Sequence, residues 1–142
     1  MVLRKARLLA EERGVGERVR FVQGDLTAAA IPGVDGSFDL LVDYGTLDDL
    51  RGAPRPRMAD TVERLSRPGS VFLLWCFYAA PDELPWSSFH GPSRLAPAIA
   101  PGEEEELFGV AFTIERLPEP EPGSQAACFL MTRRHPRTRP LH

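Results

Sequence analysis

Lysine is nearly absent from this sequence, and cysteine and long apolar runs are scarce. Lys5 stands alone beside sixteen arginines, and the 142 residues carry a formal net charge of −3. A protein of this charge has no overall positive field, so we do not expect a nucleic-acid partner. The longest apolar run, residues 71–80, has about half the length that a transmembrane helix needs. We therefore do not expect a membrane-spanning protein either.

The cysteines and the first residues indicate the compartment. Cys76 and Cys128 both lie inside apolar stretches, which is typical of buried free thiols in a reducing compartment. Residues 1–13 alternate charged and apolar residues, without the continuous hydrophobic segment of a signal peptide. Cysteines and histidines are also too few at ligand spacing to form a metal site. The sequence therefore predicts a cytoplasmic protein without a metal.

The composition fits one folded domain. Hydrophobic residues make up 43% of the chain and charged residues 26%, both close to the averages of globular proteins. A chain of this length can bury a substantial core. Residues 133–142 are basic and contain proline, which is typical of a disordered terminus. We predict one domain over residues 1–132 followed by a short tail over residues 133–142.

Hydrophobic periodicity predicts helices that alternate with strands. Apolar residues at helical spacing predict helices over residues 3–13 and 54–67, and Pro101-Gly102 opens an acidic helix over residues 103–108. The nearly continuous apolar character of residues 38–42 is typical of a strand covered on both faces. This order predicts an α/β layered fold, with a mainly parallel sheet and an antiparallel pair at its end. Runs of β-branched, aromatic and aliphatic residues predict strands over residues 19–22, 38–42, 71–78, 112–117 and 126–132.

Three segments follow one another in an order that is characteristic of one enzyme family. They read VRFVQGDLT at residues 19–27, FDLLVDYGTLDDL at residues 38–50 and RLSRPGSVFLLWCF at residues 64–77. Together they resemble the middle motifs of class I S-adenosylmethionine-dependent methyltransferases. The resemblance covers nearly all of residues 1–133 and implies a Rossmann-like sheet that closes with an antiparallel hairpin. It also implies S-adenosylmethionine (SAM) as the cofactor and a small-molecule methyl acceptor.

The family's first strand–helix–strand unit has no counterpart in this sequence. That unit carries the glycine-rich loop that cradles the cofactor, whereas the G-x-G of residues 14–16 follows a helix here. We therefore expect an N-terminally shortened domain that binds the cofactor weakly. In the family, the missing strands lie between the strands of residues 19–22 and 38–42. Their loss would expose a sheet edge, so we expect self-association through that edge.

The resemblance assigns a cofactor contact to the loop after the first predicted strand. Asp25 matches the position that accepts a hydrogen bond from the adenine amino group, and the Leu26 N–H matches the donor to the ring. Asp25 also suits a second role, because an aspartate after a strand commonly caps a turn with its carboxylate. Both alternatives stay open for Asp25.

The next predicted strand ends at the candidate catalytic segment. By resemblance, Asp43, Tyr44 and Gly45 lie where the methyl donor meets the acceptor, and Asp43 and Gly45 contact the cofactor. Methyl transfer depends mainly on orientation, and a hydroxyl or amine acceptor would lose its proton to Asp43, Tyr44 or His90. Asp43 also suits a turn that ends the strand. Asp48 and Asp49 are expected to cap the next turn.

The acceptor pocket is predicted downstream of the strand at residues 71–78. Trp86, Phe89 and His90 lie in a proline-rich loop, where aromatic side chains must find cover and can line an apolar pocket. The predicted function is SAM-dependent methyl transfer to a small molecule. The alternative is a non-catalytic remnant of the family or an interaction module.

Overall fold

A four-stranded mixed sheet forms the centre of the computed structural model, which describes residues 2–80, 83 and 98–137. Its first two strands are parallel, and the other two neighbouring pairs are antiparallel. The α/β class and the closing hairpin are confirmed, although the parallel share of the sheet is smaller than predicted. The strands are β1 (Phe38–Tyr44), β2 (Ser66–Phe77), β3 (Phe112–Arg116) and β4 (Ala126–Arg133), in the spatial order β1-β2-β4-β3.

The α-helices of the described chain are α1 (Val2–Glu12), α2 (Pro54–Arg64) and α3 (Glu103–Phe108). α2 begins at a proline, whose missing N–H suits the first turn of a helix, where N–H groups have no helical partner. α2 and α3 pack on one face of the sheet, so that face carries the main core. Its most deeply buried members are Leu47, Phe72, Leu74, Cys76, Ile99, Phe108, Phe112, Ala127, Phe129 and Met131.

The crossover from β1 through α2 to β2 decides where a ligand can bind. Because β1 and β2 are parallel, their carboxyl ends meet at one edge of the sheet, with Asp43 beside Leu74 and Tyr44 beside Trp75. In open α/β sheets, ligands bind in the crevice outside these ends. The fold therefore brings the predicted β1 site residues to the edge where binding is expected.

Residues 19–22 form no strand, so that prediction is wrong. They follow a short 3₁₀ turn, Gly16–Arg18, and no strand of the described chain pairs with them. β-branched residues favour extended backbone, but a strand also needs a neighbour to satisfy its N–H and C=O groups. α1 is similarly isolated, because Ala10 is its one buried residue among those described.

β1 is an edge strand, and the prediction that both its faces are covered is also wrong. Its alternate residues Phe38, Leu40, Val42 and Tyr44 are 43, 56, 65 and 75% exposed. Leu41, on the opposite face, packs against the core. The difference arises because α2 and α3 cover one face, while no described helix packs on the other.

Arg133 and Arg134, the first residues of the predicted tail, are bonded to the folded domain. β4 extends to Arg133, whose guanidinium donates to the Glu63 carbonyl at 2.6 Å and to Ser66 Oγ at 3.0 Å. The backbone N–H of Arg134 donates to Ala111 O at 2.8 Å. These contacts move the end of the packed region slightly beyond residue 132. The division of the chain into a domain and a tail stays a prediction.

Candidate functional site

The carboxyl ends of β1 and β2 carry an aromatic pair and a tight turn. The ring of Tyr44 stacks on Trp75, with 4.4 Å between the ring centroids and 23° between the planes. Gly45 follows with φ +81°, a left-handed conformation that favours glycine. Its N–H donates to Trp75 O at 3.2 Å. The chain thus leaves the sheet immediately after Tyr44, whose side chain stays 75% exposed.

Asp43 organises the turn that follows β1. It is buried, and its Oδ1 accepts a hydrogen bond from Thr46 N at 3.2 Å while Oδ2 accepts one from Leu47 N at 2.9 Å. These bonds show the turn-capping role that the sequence left open. A carboxylate has about four lone-pair positions and can accept further bonds. The contact of Asp43 with a cofactor therefore stays a prediction.

Asp25 and Leu26 lie in a loop that is fastened to α2. Asp25 Oδ1 accepts hydrogen bonds from the hydroxyl and the N–H of Thr27, at 2.7 and 2.8 Å, and these bonds lower the pKa of Asp25. The Leu26 carbonyl accepts a hydrogen bond from Thr61 Oγ1 at 2.6 Å. Asp25 Oδ2 and the Leu26 N–H have no partner among the described residues. One acceptor and one donor are therefore left for a ligand.

A pocket of about 180 Å³ contains Leu26 and Asp43 together. The loop, β1, α2 and β2 each contribute to its walls, which are mostly apolar. It is smaller than the roughly 300–1,000 Å³ of complete ligand sites, so it suits one part of a ligand. The lining residues are Leu26, Leu41, Val42, Asp43, Thr46, Met58, Thr61, Val62, Leu65 and Phe72.

The structure brings together some of the predicted site residues. Leu26 and Asp43 share the pocket, whereas Asp25, Tyr44 and Gly45 are their neighbours in the chain and do not line it. Larger open clefts, of about 740 and 780 Å³, lie beside α1 and at the end of β4, and none of the predicted site residues that the structure describes lines them. The predicted acceptor residues Trp86, Phe89 and His90 lie outside the described residues.

Thr61 is a site residue that the sequence reasoning missed. Its hydroxyl holds Leu26 against α2, and its side chain lines the pocket. The available signal is a polar residue on the face of α2 that also carries Met58 and Val62. A hydroxyl on this apolar face is buried, and burying it costs free energy unless it has a hydrogen-bond partner. That partner, a carbonyl 35 positions earlier, is not visible in the local pattern.

Asp48 is buried against β2, so the prediction that it caps the next turn is wrong. It is 1% exposed, and Oδ2 accepts a hydrogen bond from Phe77 N at 2.8 Å. Oδ1 has no hydrogen-bond partner in the described part of the chain. Burial, which disfavours the charged carboxylate, raises the pKa of Asp48. Asp48 therefore joins the loop after β1 to the end of β2 at an electrostatic cost.

We expect Asp48→Asn to gain stability relative to the wild type as the pH rises from 4 to 7. The folded state holds the Asp48 proton more tightly than the unfolded state does. Wild-type stability therefore falls as the pH rises from the pKa of Asp48 in the unfolded state through its pKa in the folded state. The asparagine side chain does not titrate, so the variant does not lose this stability. Urea unfolding of both proteins at several pH values measures the effect. A difference between them that does not change with pH would contradict it.

No family model and no curated protein matches this sequence. Solved structures match it in fold. An O-methyltransferase family protein from Burkholderia thailandensis superposes with a TM-score of 0.70 at 15% identity, over 91% of this chain and 40% of that protein. A 1,6-didemethyltoxoflavin-N1-methyltransferase from the same organism, with bound S-adenosylhomocysteine, gives 0.60 at 24% identity, over 89% and 55%.

A third structure extends the comparison to a human enzyme. N-acetylserotonin methyltransferase in complex with SAM superposes with a TM-score of 0.60 at 15% identity, over 84% of this chain and 35% of that one. The chain thus spans between about a third and just over half of the length of these three proteins. The chain therefore has the fold of the class I SAM-dependent methyltransferases.

Proposed function

We propose that this chain works as part of a SAM-dependent methyltransferase that acts on a small-molecule acceptor. One observation carries the proposal: Leu26 and Asp43, two positions assigned to the cofactor by resemblance, line a single pocket. Solved structures of the same fold with bound S-adenosylhomocysteine or SAM support this choice of cofactor. Asp43 and Thr46 extend the pocket to the carboxyl end of β1, the end of the strands where α/β folds bind ligands.

Polar groups of the loop beside the pocket can pair with the edge of an adenine ring, because Asp25 precedes Leu26, which lines the pocket. Adenine offers an amino donor beside a ring nitrogen that accepts. Asp25 Oδ2 is a free acceptor and the Leu26 N–H a free donor, on adjacent residues of the chain. The side chains of Leu41 and Val62 supply apolar walls for the ring. We propose that this pocket holds the adenine and that the remainder of the cofactor extends toward Gly45.

Bound SAM supplies an electrophilic methyl group on a sulfonium, so this chain has to orient the acceptor and accommodate its proton. Gly45 lacks a side chain and allows close approach of a ligand to the backbone. Both oxygens of Asp43 already accept backbone N–H groups, whereas the Tyr44 side chain is largely exposed. These contacts favour Tyr44 over Asp43 for proton removal. Trp86, Phe89 and His90 remain our proposed acceptor contacts.

The test is an NMR titration of the ¹⁵N-labelled chain with S-adenosylhomocysteine and, separately, with adenosine. We expect both ligands to shift the amide signals of Leu26, Thr27 and Thr46 at millimolar concentration. Binding by these 142 residues should be weak, because none of the residues before β1 in this sequence matches the family's glycine-rich loop, which would hold the rest of the cofactor. The absence of shifts, or shifts confined to the cleft beside α1, would overturn the proposal.

The Asp25→Asn variant tests the proposed adenine contact of Asp25 while leaving its turn contact with Thr27 possible. The amide oxygen of asparagine can still accept from Thr27, but its NH₂ group then faces the adenine amino group. We expect the affinity for adenosine to fall about tenfold, because a hydrogen bond to a charged group contributes roughly 1.5–3 kcal/mol. Asp35→Asn, at an exposed position in the next turn, is the matched control and should bind as the wild type does. Equal affinities of the two variants would remove Asp25 from the site.

The second candidate function is a non-catalytic interaction module, and the exposed apolar face of β1 favours it. An interaction module would keep the fold without ligand shifts at Leu26 and Thr46. The same titration therefore decides between the two candidates.

A further inference from the structure

β1 leaves both a backbone edge and a row of side chains uncovered. β2 occupies one edge of β1, and no strand of the described chain pairs with the other. Phe38, Leu40, Val42 and Tyr44 point to one face, and all four are exposed. Monomeric proteins rarely leave apolar patches of several hundred Å² on the surface, and unpaired strand edges bind other strands. A binding partner for β1 must therefore offer an extended, apolar strand.

The sequence of β1 is nearly symmetric about Leu41. Read from either end it gives an aromatic, an aspartate, an aliphatic residue and the central leucine, FDLLVDY. In an antiparallel pair, opposite residues lie on the same face of the sheet. A two-fold axis at Leu41 would set Phe38 opposite Tyr44 and Leu40 opposite Val42. A second β1 therefore matches the uncovered row, side chain for side chain.

We propose that β1 pairs antiparallel with β1 of a second copy of this chain, about a two-fold axis at Leu41. The two sheets then form one continuous sheet of eight strands. Such an isologous contact closes on itself and limits the assembly to a dimer. This proposal concerns the chain of these 142 residues and does not depend on cofactor binding. The strands that the family places beside residues 38–42 would occupy the same edge of β1, so a polypeptide that supplied them would compete with the dimer.

The dimer extends a row of aromatic rings that each copy already carries. Phe77 meets Trp75 edge-on with ring centroids 5.2 Å apart, and Trp75 stacks on Tyr44 at 4.4 Å. The partner's Phe38 would follow Tyr44 as the next ring. Cross-strand aromatic pairs stabilise a sheet beyond the area that they bury. The pairing would also bring the partner's strand beside Tyr44, the proposed base.

One pair of residues in this register, two aspartates, weakens the contact and provides a further test. Asp39 would lie opposite the partner's Asp43, and like charges in this position weaken an antiparallel pair. Arg67 forms an ion pair with Asp39, and backbone N–H groups bind both oxygens of Asp43, which moderates the repulsion. Asp39→Asn removes one of the two charges. We therefore expect this variant to dimerise more tightly than the wild type.

Sedimentation velocity over a range of micromolar concentrations tests the contact. The wild type should change from monomer to dimer as its concentration rises, and Leu40→Lys should stay monomeric. Leu8→Lys is the matched control, because Leu8 on α1 is 52% exposed and Leu40 is 56% exposed. It should dimerise like the wild type. A wild type that stays monomeric, or equal losses in both variants, would overturn the proposal.

Disulfide trapping tests the register of the two β1 strands directly. Opposite residues of an antiparallel pair have Cα atoms roughly 4.5–5.5 Å apart, within the range that a disulfide spans. Leu41→Cys should therefore crosslink to itself under mild oxidation. Asp39→Cys should not, because the two copies of residue 39 are offset by four positions along the strands. Crosslinking at residue 39 instead of residue 41 would contradict the two-fold axis at Leu41, and the wild type measures the background from Cys76 and Cys128.

Discussion

Replacing Arg55 with alanine is expected to lower the free energy of unfolding by about 3–5 kcal/mol, the usual cost of breaking a buried ion pair from one side. The Arg55 side chain is 11% exposed, and its NH1 donates to both carboxylate oxygens of Glu103, at 2.7 and 3.0 Å. The alanine variant leaves Glu103, itself 21% exposed, without its cation. The remaining buried charge accounts for most of the loss.

Arg55 also donates hydrogen bonds to three backbone carbonyls from separate parts of the chain, and the loss of these bonds adds to the destabilisation. Its Nε donates to Leu50 O at 2.5 Å, and its NH2 donates to Asp48 O and to Ala98 O, both at 2.9 Å. These bonds tie the turn after β1 to the N-terminal end of α2, to residue 98 and to α3. Since Asp43 and Tyr44 begin that turn, Arg55 also supports the candidate site.

Urea unfolding followed by circular dichroism measures the loss. Arg67→Ala is the matched control, because the Arg67–Asp39 pair lies in solvent, with side chains 52 and 81% exposed. Exposed pairs contribute about 0–1 kcal/mol, so this variant should be nearly as stable as the wild type. A double-mutant cycle with Glu103→Ala isolates the pair itself. Similar losses for Arg55→Ala and Arg67→Ala would contradict the role of Arg55.

Local patterns in the sequence correctly predicted the helices and strands whose signals come from a few neighbouring residues. The predicted helix at residues 103–108 and the predicted strands at residues 112–117 and 126–132 agree with α3, β3 and β4 to within one residue. Their periodicity and turn residues, such as Pro101-Gly102, act over a few positions. The strand predicted at residues 19–22 failed because its stability depends on a neighbouring strand. No property of those four residues reveals whether that neighbour is present.

The site was predicted in part, for a related reason. The resemblance identified Leu26 and Asp43, and the structure places both in one pocket. It could not separate the turn role of Asp43 from a ligand role, since an aspartate after a strand suits both. Arg55 gave no signal and Asp48 was assigned to a turn, because their partners Glu103 and Phe77 are 48 and 29 positions away. Buried polar contacts of this kind are set by the tertiary fold.

Two adjacent residues of β2 test whether the two faces of the sheet differ as described. Phe72 is 1% exposed on the face that α2 and α3 cover, and its ring centroid lies 5.4 Å from that of Phe108. Leu73 points to the opposite face, is only half-buried, and pairs with Val42 and Leu130.

Phe72→Ala is expected to lower the free energy of unfolding by about 3–5 kcal/mol, because it removes a ring from a close-packed core and leaves a cavity. Leu73→Ala should cost only about 1 kcal/mol, since much of that side chain remains in contact with water and less apolar area is lost. Both variants are measured by urea unfolding at concentrations where the wild type is monomeric. At higher concentration the cost of Leu73→Ala should rise, because pairing of β1 with a second copy extends the apolar row beside Leu73. A loss of 3 kcal/mol or more for Leu73→Ala in the monomer would mean that the face beside β1 is already covered, and with it the proposed β1 dimer would lose its basis.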